Sequence, residues 1–305
     1  MRNRFIEITT EGSLLSVDRG FLKIRYQEEE IGRVPLDDLA AVIVHAHSAT
    51  FTSHLAEQLA ARGCPLVLSD RSHNPVGVVW PIDGHHEQGL IMEAQASASR
   101  PTRKRLWRDI VKAKITAQAA ILEALGKPNV RLSRMLARVR SGDTENIEAQ
   151  AARHYWPLLM GDSFRRNRSS DGINGFLNFG YSILRSATAR SIVAAGLHPS
   201  LSLHHISRGS ALRLADDLME PFRPYVDFTV ARLMLSGQTE LDKAAKGELV
   251  STMSMDMIGP RGTAPLQSCL DRLASSLARV FLGECKDLEL PQPPLELSLA
   301  SVITK

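Results

Sequence analysis

The sequence predicts an α+β fold: a small β-rich N-terminal domain over residues 1–85, then a larger, mostly α-helical domain over residues 86–305. Three observations predict it. Apolar residues in the first 80 positions fall in short runs, or alternate at period two, between turn residues. From about residue 100 they recur every three or four positions instead. Between these regimes lies a polar stretch near residues 81–92, with Pro81, Gly84 and His85-His86-Glu87-Gln88, which reads as a domain boundary. A chain of 305 residues can bury a core on either side of it.

The elements follow in order. Arg4–Ile8 and Ser13–Val17 have strand character, and Asp18-Arg19-Gly20 is a turn signal, so this region is expected to form hairpins. Phe21–Tyr26 alternates at period two, as a half-buried strand does. Ala40–Val44 and Pro65–Ser69 are continuous apolar runs of the kind covered strands carry. They flank a helical stretch from about Ser53 to Arg62 that stops at Gly63, giving a strand–helix–strand unit. Val76–Trp80 is the expected last strand. Next comes a long amphipathic helix, in which Leu106, Ile110, Ala113, Ala117, Ile121 and Leu125 step by three or four before Gly126 and Pro128. Further helices are expected at 130–140, 145–160, 174–195, 221–235 and 266–282. The tail, with Pro291, Pro293 and Pro294, is expected to be extended or mobile.

Charge is unevenly distributed. The net value is +4, but residues 1–89 carry 8 basic and 12 acidic side chains, whereas residues 100–168 carry 16 basic and 6 acidic. Such a concentration is either a solvated helix face or the footprint of a polyanion partner. The charged N-terminus, Met1-Arg2-Asn3-Arg4, and the lack of a long apolar run argue against secretion or membrane insertion. Three well-separated cysteines, Cys64, Cys269 and Cys285, have neither zinc-site nor disulfide-framework spacing. A cytoplasmic location fits. No P-loop, dinucleotide glycine turn, HExxH pair or GxSxG elbow occurs, which removes the usual routes to ATP hydrolysis, hydride transfer and serine hydrolysis.

Three stretches remain. In the helix expected over 145–160, capped by Thr144 or Asp143, Glu148 is in register with Ala152, Tyr155 and Leu159 and so borders the apolar face. A carboxylate there needs a partner, either an Arg from a neighbouring helix or a divalent metal. The second stretch is the pair His204-His205 after apolar Leu201. In the third, Asp217 and Glu220 are three apart, so they either share a helix face or form a capping box with Pro221 in the first turn.

Taken in order, these blocks resemble the CRISPR-associated integrase and endonuclease, the catalytic subunit of the spacer-acquisition machinery. The resemblance is carried by Glu148 with Ala151-Ala152-Arg153-His154-Tyr155-Trp156, by Asp171–Tyr181, by His205, and by Asp217-Leu218-Met219-Glu220-Pro221-Phe222-Arg223-Pro224. It runs over nearly the whole chain. The Lys112–Ala119 helix and the histidine spacing resemble the version found in type II systems. What the resemblance implies is a catalytic site of Glu148, His205, Glu220 and Asp217. In it Glu148, His205 and Glu220 hold Mg²⁺ or Mn²⁺, and Asp217 stands adjacent and helps through a water. His205 is preferred to His204 because its distance from the Asp217–Glu220 block matches the family pattern. Two hard carboxylates and one imidazole suit either ion.

The implied function is metal-dependent DNA cleavage and strand transfer, in which a spacer's 3′-hydroxyl attacks phosphodiesters at the ends of a CRISPR repeat. Arg100, Arg103, Lys104, Arg105, Arg108, Lys112, Lys114, Arg165, Arg166 and Arg168 would then hold the backbone of double-stranded DNA with single-stranded 3′ ends, and of repeat DNA. The resemblance further implies a homodimer formed through the N-terminal domain, a small ferredoxin-like adaptation protein as partner, and no membrane. Two rival readings are a non-catalytic DNA-binding scaffold and a metal-dependent nuclease without integration activity.

Overall fold

The computed structural model describes residues 4–70, 75–79, 81–82, 85–167, 170–206 and 210–294. The chain divides into two compact units, Met1–His86 and Glu87–Lys305. The first is rich in strands and the second is largely helical, which is the predicted α+β class.

In the first unit, β1 (Arg4–Ile8), β5 (Leu39–Val44), β7 (Leu66–Ser69) and β8 (Pro75–Val79) form one sheet in the order β1-β5-β7-β8. Its first three strands are parallel and β8 is antiparallel. The helix α1 (Ser53–Ala61) connects β5 to β7, so the strand–helix–strand reading holds. A second sheet has the order β4-β3-β2-β6, with β2 (Leu14–Asp18), β3 (Phe21–Tyr26), β4 (Glu29–Pro35) and β6 (Thr50–Phe51). Positive φ at both Arg19 (49°) and Gly20 (81°) closes the β2–β3 hairpin in the primed sense that matches strand twist. The expected hairpin between the first two strands does not form. Every residue of β5 is buried, and β1 supplies it with a parallel neighbour, Phe5 opposite Ala41 through Ile8 opposite Val44. Ile8, Leu15, Leu22, Leu39, Val42, Leu55, Leu59 and Leu66 make the core of this unit.

The second unit is built on α3 (Arg100–Ala124), preceded by α2 (Gln88–Ser97) and capped by Ser99, whose hydroxyl accepts the Thr102 N–H. Then come α4 (Val130–Leu136), α5 (Ile147–Met160), α6 (Ile173–Ala194) and α7 (Arg213–Leu218). A 3₁₀ turn, Glu220–Phe222, leads into α8 (Arg223–Leu235), followed by α9 (Lys243–Ser251) and α10 (Leu266–Phe281). The core helix is α6, buried on most of its circumference from Phe176 to Ile192. At Gly180 it meets α8 so closely that a β-carbon there would lie 2.5 Å from Val226 Cγ1. A small sheet, β10-β9-β11, joins β9 (Asp256–Gly259), β10 (Gly262–Pro265) and β11 (Gln292–Pro294). The proline-rich tail therefore includes a docked edge strand, a position that tolerates missing N–H donors. Trp80 and Arg168 lie outside the described residues.

Candidate active site

Glu148 stands in the first turn of α5, and the preceding loop fixes that turn. Asn146 adopts left-handed φ (52°), and the Asp143 carboxylate reaches forward to accept the Ile147 N–H at 2.9 Å and the Glu148 N–H at 3.0 Å. The N-cap position is therefore Asn146, not Thr144 or Asp143, but the Asp143 carboxylate satisfies the first two free N–H groups of the helix and so sets the backbone that carries Glu148. The Glu148 side chain is about one-quarter exposed and accepts a hydrogen bond from the Lys114 Nζ of α3.

Glu220 is buried, and it comes from the turn between α7 and α8. Its Oε2 accepts from the same Lys114 Nζ at 2.5 Å, and the Arg223 Nε lies 2.9 Å from its Oε1. The capping-box alternative fails: Asp217 lies inside α7, and the Glu220 side chain pairs with cations instead of turning back to the backbone. Burial disfavours the Glu220 charge, yet Arg223 and Lys114 hold its carboxyl down at about 2. Burial likewise disfavours the Lys114 ammonium, but Glu220 and Glu148 beside it more than offset this and keep its pKa above the ordinary lysine value. Two carboxylates, one from α5 and one from the turn before α8, therefore converge on one cationic nitrogen.

His205 is set by Asp217, which is fully buried. The Asp217 carboxylate accepts the backbone N–H groups of Leu203 (2.6 Å), His204 (3.2 Å) and His205 (3.1 Å), and lies 2.7 Å from the His205 Nδ1. An ionised carboxylate only accepts, so Nδ1 carries the proton and Nε2 is left as the basic nitrogen. The hydrogen bond to Asp217 raises the His205 pKa against the effect of burial, and Glu220 acts on it in the same direction. Asp217 thus stands adjacent to His205, as expected, and its buried carboxylate holds both the ring and the loop backbone. His204 stacks on the Trp107 ring at 4.3 Å, and burial lowers its pKa. Deeper in the unit, the Tyr181 hydroxyl donates to Asp227, whose carboxyl burial pushes up to about 7. Arg223 and Arg166 lie over the Tyr181 ring at 4.7 and 5.4 Å.

With this geometry in view, comparison with known proteins is informative. The family model for the CRISPR-associated protein Cas1 matches residues 6–256. The chain belongs to the Cas1 family. A Cas1 of Neisseria meningitidis, named a CRISPR-associated endonuclease, is 36% identical over 286 residues, covering 92% of this chain and 93% of that protein. A second protein so named, from Francisella tularensis subsp. novicida, is 28% identical over 91% of this chain and 95% of its own length. Among solved structures, a casposase bound to its integration product superposes with a TM-score of 0.83 at 20% identity, covering 99% of both chains. A Cas1 protein from Thermotoga maritima gives 0.77 at 17% identity, covering 92% of this chain and 98% of that one. These structural likenesses show the same fold.

Among the described residues, no three His, Cys, Asp or Glu side chains meet at metal-binding range; the Lys114 ammonium lies between the two carboxylates, and the His205 Nδ1 faces Asp217. The donor set nevertheless fits a hard divalent ion. Two carboxylates already share one cation, and an imidazole held through its other nitrogen by a carboxylate is the usual companion.

The basic residues divide. Lys114, grouped with the DNA-contacting cations by sequence, is instead buried between the acidic pair. Arg166 is spanned by Asn174 and Asn178, at 2.9 and 2.7 Å. Arg165 donates to the Asp162 and Phe164 carbonyls, Arg103 to the last carbonyls of α2, and Arg105 to the Lys286 carbonyl. Arg108 pairs with Asp109. Arg100 is exposed, and Lys104 and Lys112 are half-buried on α3. The sequence reading did not find Lys114's role, nor Arg223 or Trp107 as site neighbours. The available signal was a lysine four residues after Ile110, in register with a buried stripe.

Proposed function

We propose that this chain is a divalent-metal-dependent DNA endonuclease and strand-transfer integrase, with Glu148, Glu220 and His205 holding Mg²⁺ or Mn²⁺. The observation that carries the reading is the meeting of Glu148 and Glu220 on one cation in a chain of the Cas1 family. A bound divalent ion supplies Lewis acidity at the phosphodiester and compensates charge on the leaving 3′ oxygen. The protein's own contributions are positional. Asp143 fixes the turn that presents Glu148, Arg223 keeps Glu220 ionised, and Asp217 presents the His205 Nε2. In strand transfer, the incoming 3′ oxygen bonds to phosphorus as the bond to the repeat strand's 3′ oxygen breaks. With water as the nucleophile, the same site cleaves.

The exposed and half-buried cations of α3, with Arg165, would grip the sugar–phosphate backbone. Such contacts position DNA without reading its sequence. In this reading the substrates are double-stranded DNA with single-stranded 3′ ends and CRISPR repeat DNA. Neighbouring structures include a Cas6-RT-Cas1–Cas2 complex and a Cas1–DNA complex, which supports DNA and a small adaptation protein as partners. The homodimer through the N-terminal unit and the type II assignment belong to the same proposal. No helix among the described residues is long and apolar enough to cross a membrane.

The test uses a labelled double-stranded fragment with free 3′ ends and a supercoiled plasmid bearing the repeat, in Mn²⁺ or EDTA, together with the adaptation partner. Joined product is expected with Mn²⁺ only, and Glu148→Ala should abolish it while leaving DNA affinity and its salt slope intact. Equal loss of joining and DNA affinity in Glu148→Ala would favour a scaffold. Cutting without joining would favour a plain nuclease.

A further inference from the structure

The metal reading leaves Lys114 without a task, and its position is specific. One Nζ donates to carboxylates that arrive from different elements, Glu148 from the start of α5 and Glu220 from the turn before α8. The side chain is only about 10% exposed, so the cation is enclosed rather than draped over the surface. Oxygen ligands hold Mg²⁺ or Ca²⁺ at ~2.0–2.6 Å. The ammonium donates to an oxygen of each carboxylate and so occupies the place between them that a bridging ion would take, and an ion and Nζ cannot share it. Glu220 keeps a second cation in Arg223, whose guanidinium lies on its other oxygen and need not move.

We propose that Lys114 is the resident cation of the metal-free site: its ammonium holds Glu148 and Glu220 together and is displaced when a divalent ion enters. This rests on the metal site proposed above. A lysine suits the task because its charge is a compact point on a flexible four-carbon stem, able to leave without the helix moving. An isolated pair of carboxylates at this spacing would repel, and one would take up a proton or turn away. Lys114 prevents both in the absence of metal. The consequence is a direct competition, in which apparent metal affinity is the intrinsic affinity scaled by the fraction of molecules whose Lys114 has left.

The experiment is calorimetric titration of Mn²⁺ into the EDTA-treated full-length protein, alongside thermal melts with and without Mn²⁺. If Lys114 is in place nine times in ten, Lys114→Met should bind Mn²⁺ roughly ten-fold more tightly. The variant should also melt lower than wild type without metal and gain more from Mn²⁺. Lys114→Arg, which keeps the charge, serves should the Met variant fail to fold: it should bind Mn²⁺ no more tightly than wild type, and tighter binding would overturn the inference. A folded Lys114→Met with unchanged or weaker Mn²⁺ affinity would overturn it equally. Glu148→Gln separates this from failure of the underlying reading. If wild type shows no Mn²⁺ binding that Glu148→Gln weakens, the metal site itself is wrong; if it does and Lys114→Met binds no tighter, only the displacement is wrong.

Discussion

Asp217 shows how much a single residue can organise. Its carboxylate binds three successive backbone N–H groups and one imidazole, so the loop and the His205 ring are set by the same two oxygens. Asp217→Asn keeps the size but places an amide where the ring needs an acceptor, which weakens the hold on the Nδ1 proton. Carboxylates of this kind typically contribute 10–100-fold to metal affinity. A loss of Mn²⁺ affinity within about that range is therefore expected for Asp217→Asn, with little change in DNA affinity. Unchanged Mn²⁺ binding would mean that His205 is not a ligand. Register on an apolar face singled out Glu148, the three-residue spacing singled out Asp217 and Glu220, and the family resemblance chose His205 over His204. None of these signals made their partners readable. Lys114 is 34 residues from Glu148 and 106 from Glu220, and nothing in local spacing encodes such a meeting.

The elements of the strand-rich unit were legible where one residue's neighbours are local. The Asp18-Arg19-Gly20 turn closes its hairpin, and the apolar runs around α1 become parallel β5 and β7. The first strand forms over Arg4–Ile8 as read, but its pairing was misassigned because its partner lies some 35 residues on: strand character is local, whereas parallel pairing is not. In the helical unit, α3, α5, α6 and α10 follow their periodicity closely. Short pieces escaped it, such as α7 and the Asp256–Pro265 hairpin, which have too few turns or residues to show a period. Helix spacing carries a prediction of its own. The α6–α8 contact depends on Gly180, whose added methyl would meet Val226 on the facing helix. Gly180→Ala should destabilise the protein by about 1–3 kcal/mol, the usual result of overpacking a close contact. A melt within a degree of wild type would show that the helices part without penalty. Because α8 begins at Arg223, next to Glu220, Mn²⁺ affinity should fall together with stability.

For the molecule as a whole, a basic, largely helical unit carries an acidic pair on one enclosed cation, in a chain whose family match spans residues 6–256. The overall +4 charge conceals this, since the excess is concentrated on α3 and around α4. Several of those cations hold carbonyls or amides of their own chain, and this leaves Arg100, Lys104 and Lys112 as the clearest candidates for DNA contact on α3. The central claim is that Glu148, Glu220 and His205 grip one divalent ion. Anomalous diffraction from crystals of the wild-type protein soaked in Mn²⁺ tests it most directly. The account predicts one strong peak within ligand distance of all three side chains, with the Lys114 ammonium moved off it. A peak elsewhere, or none in crystals of protein whose strand joining requires Mn²⁺, would contradict it.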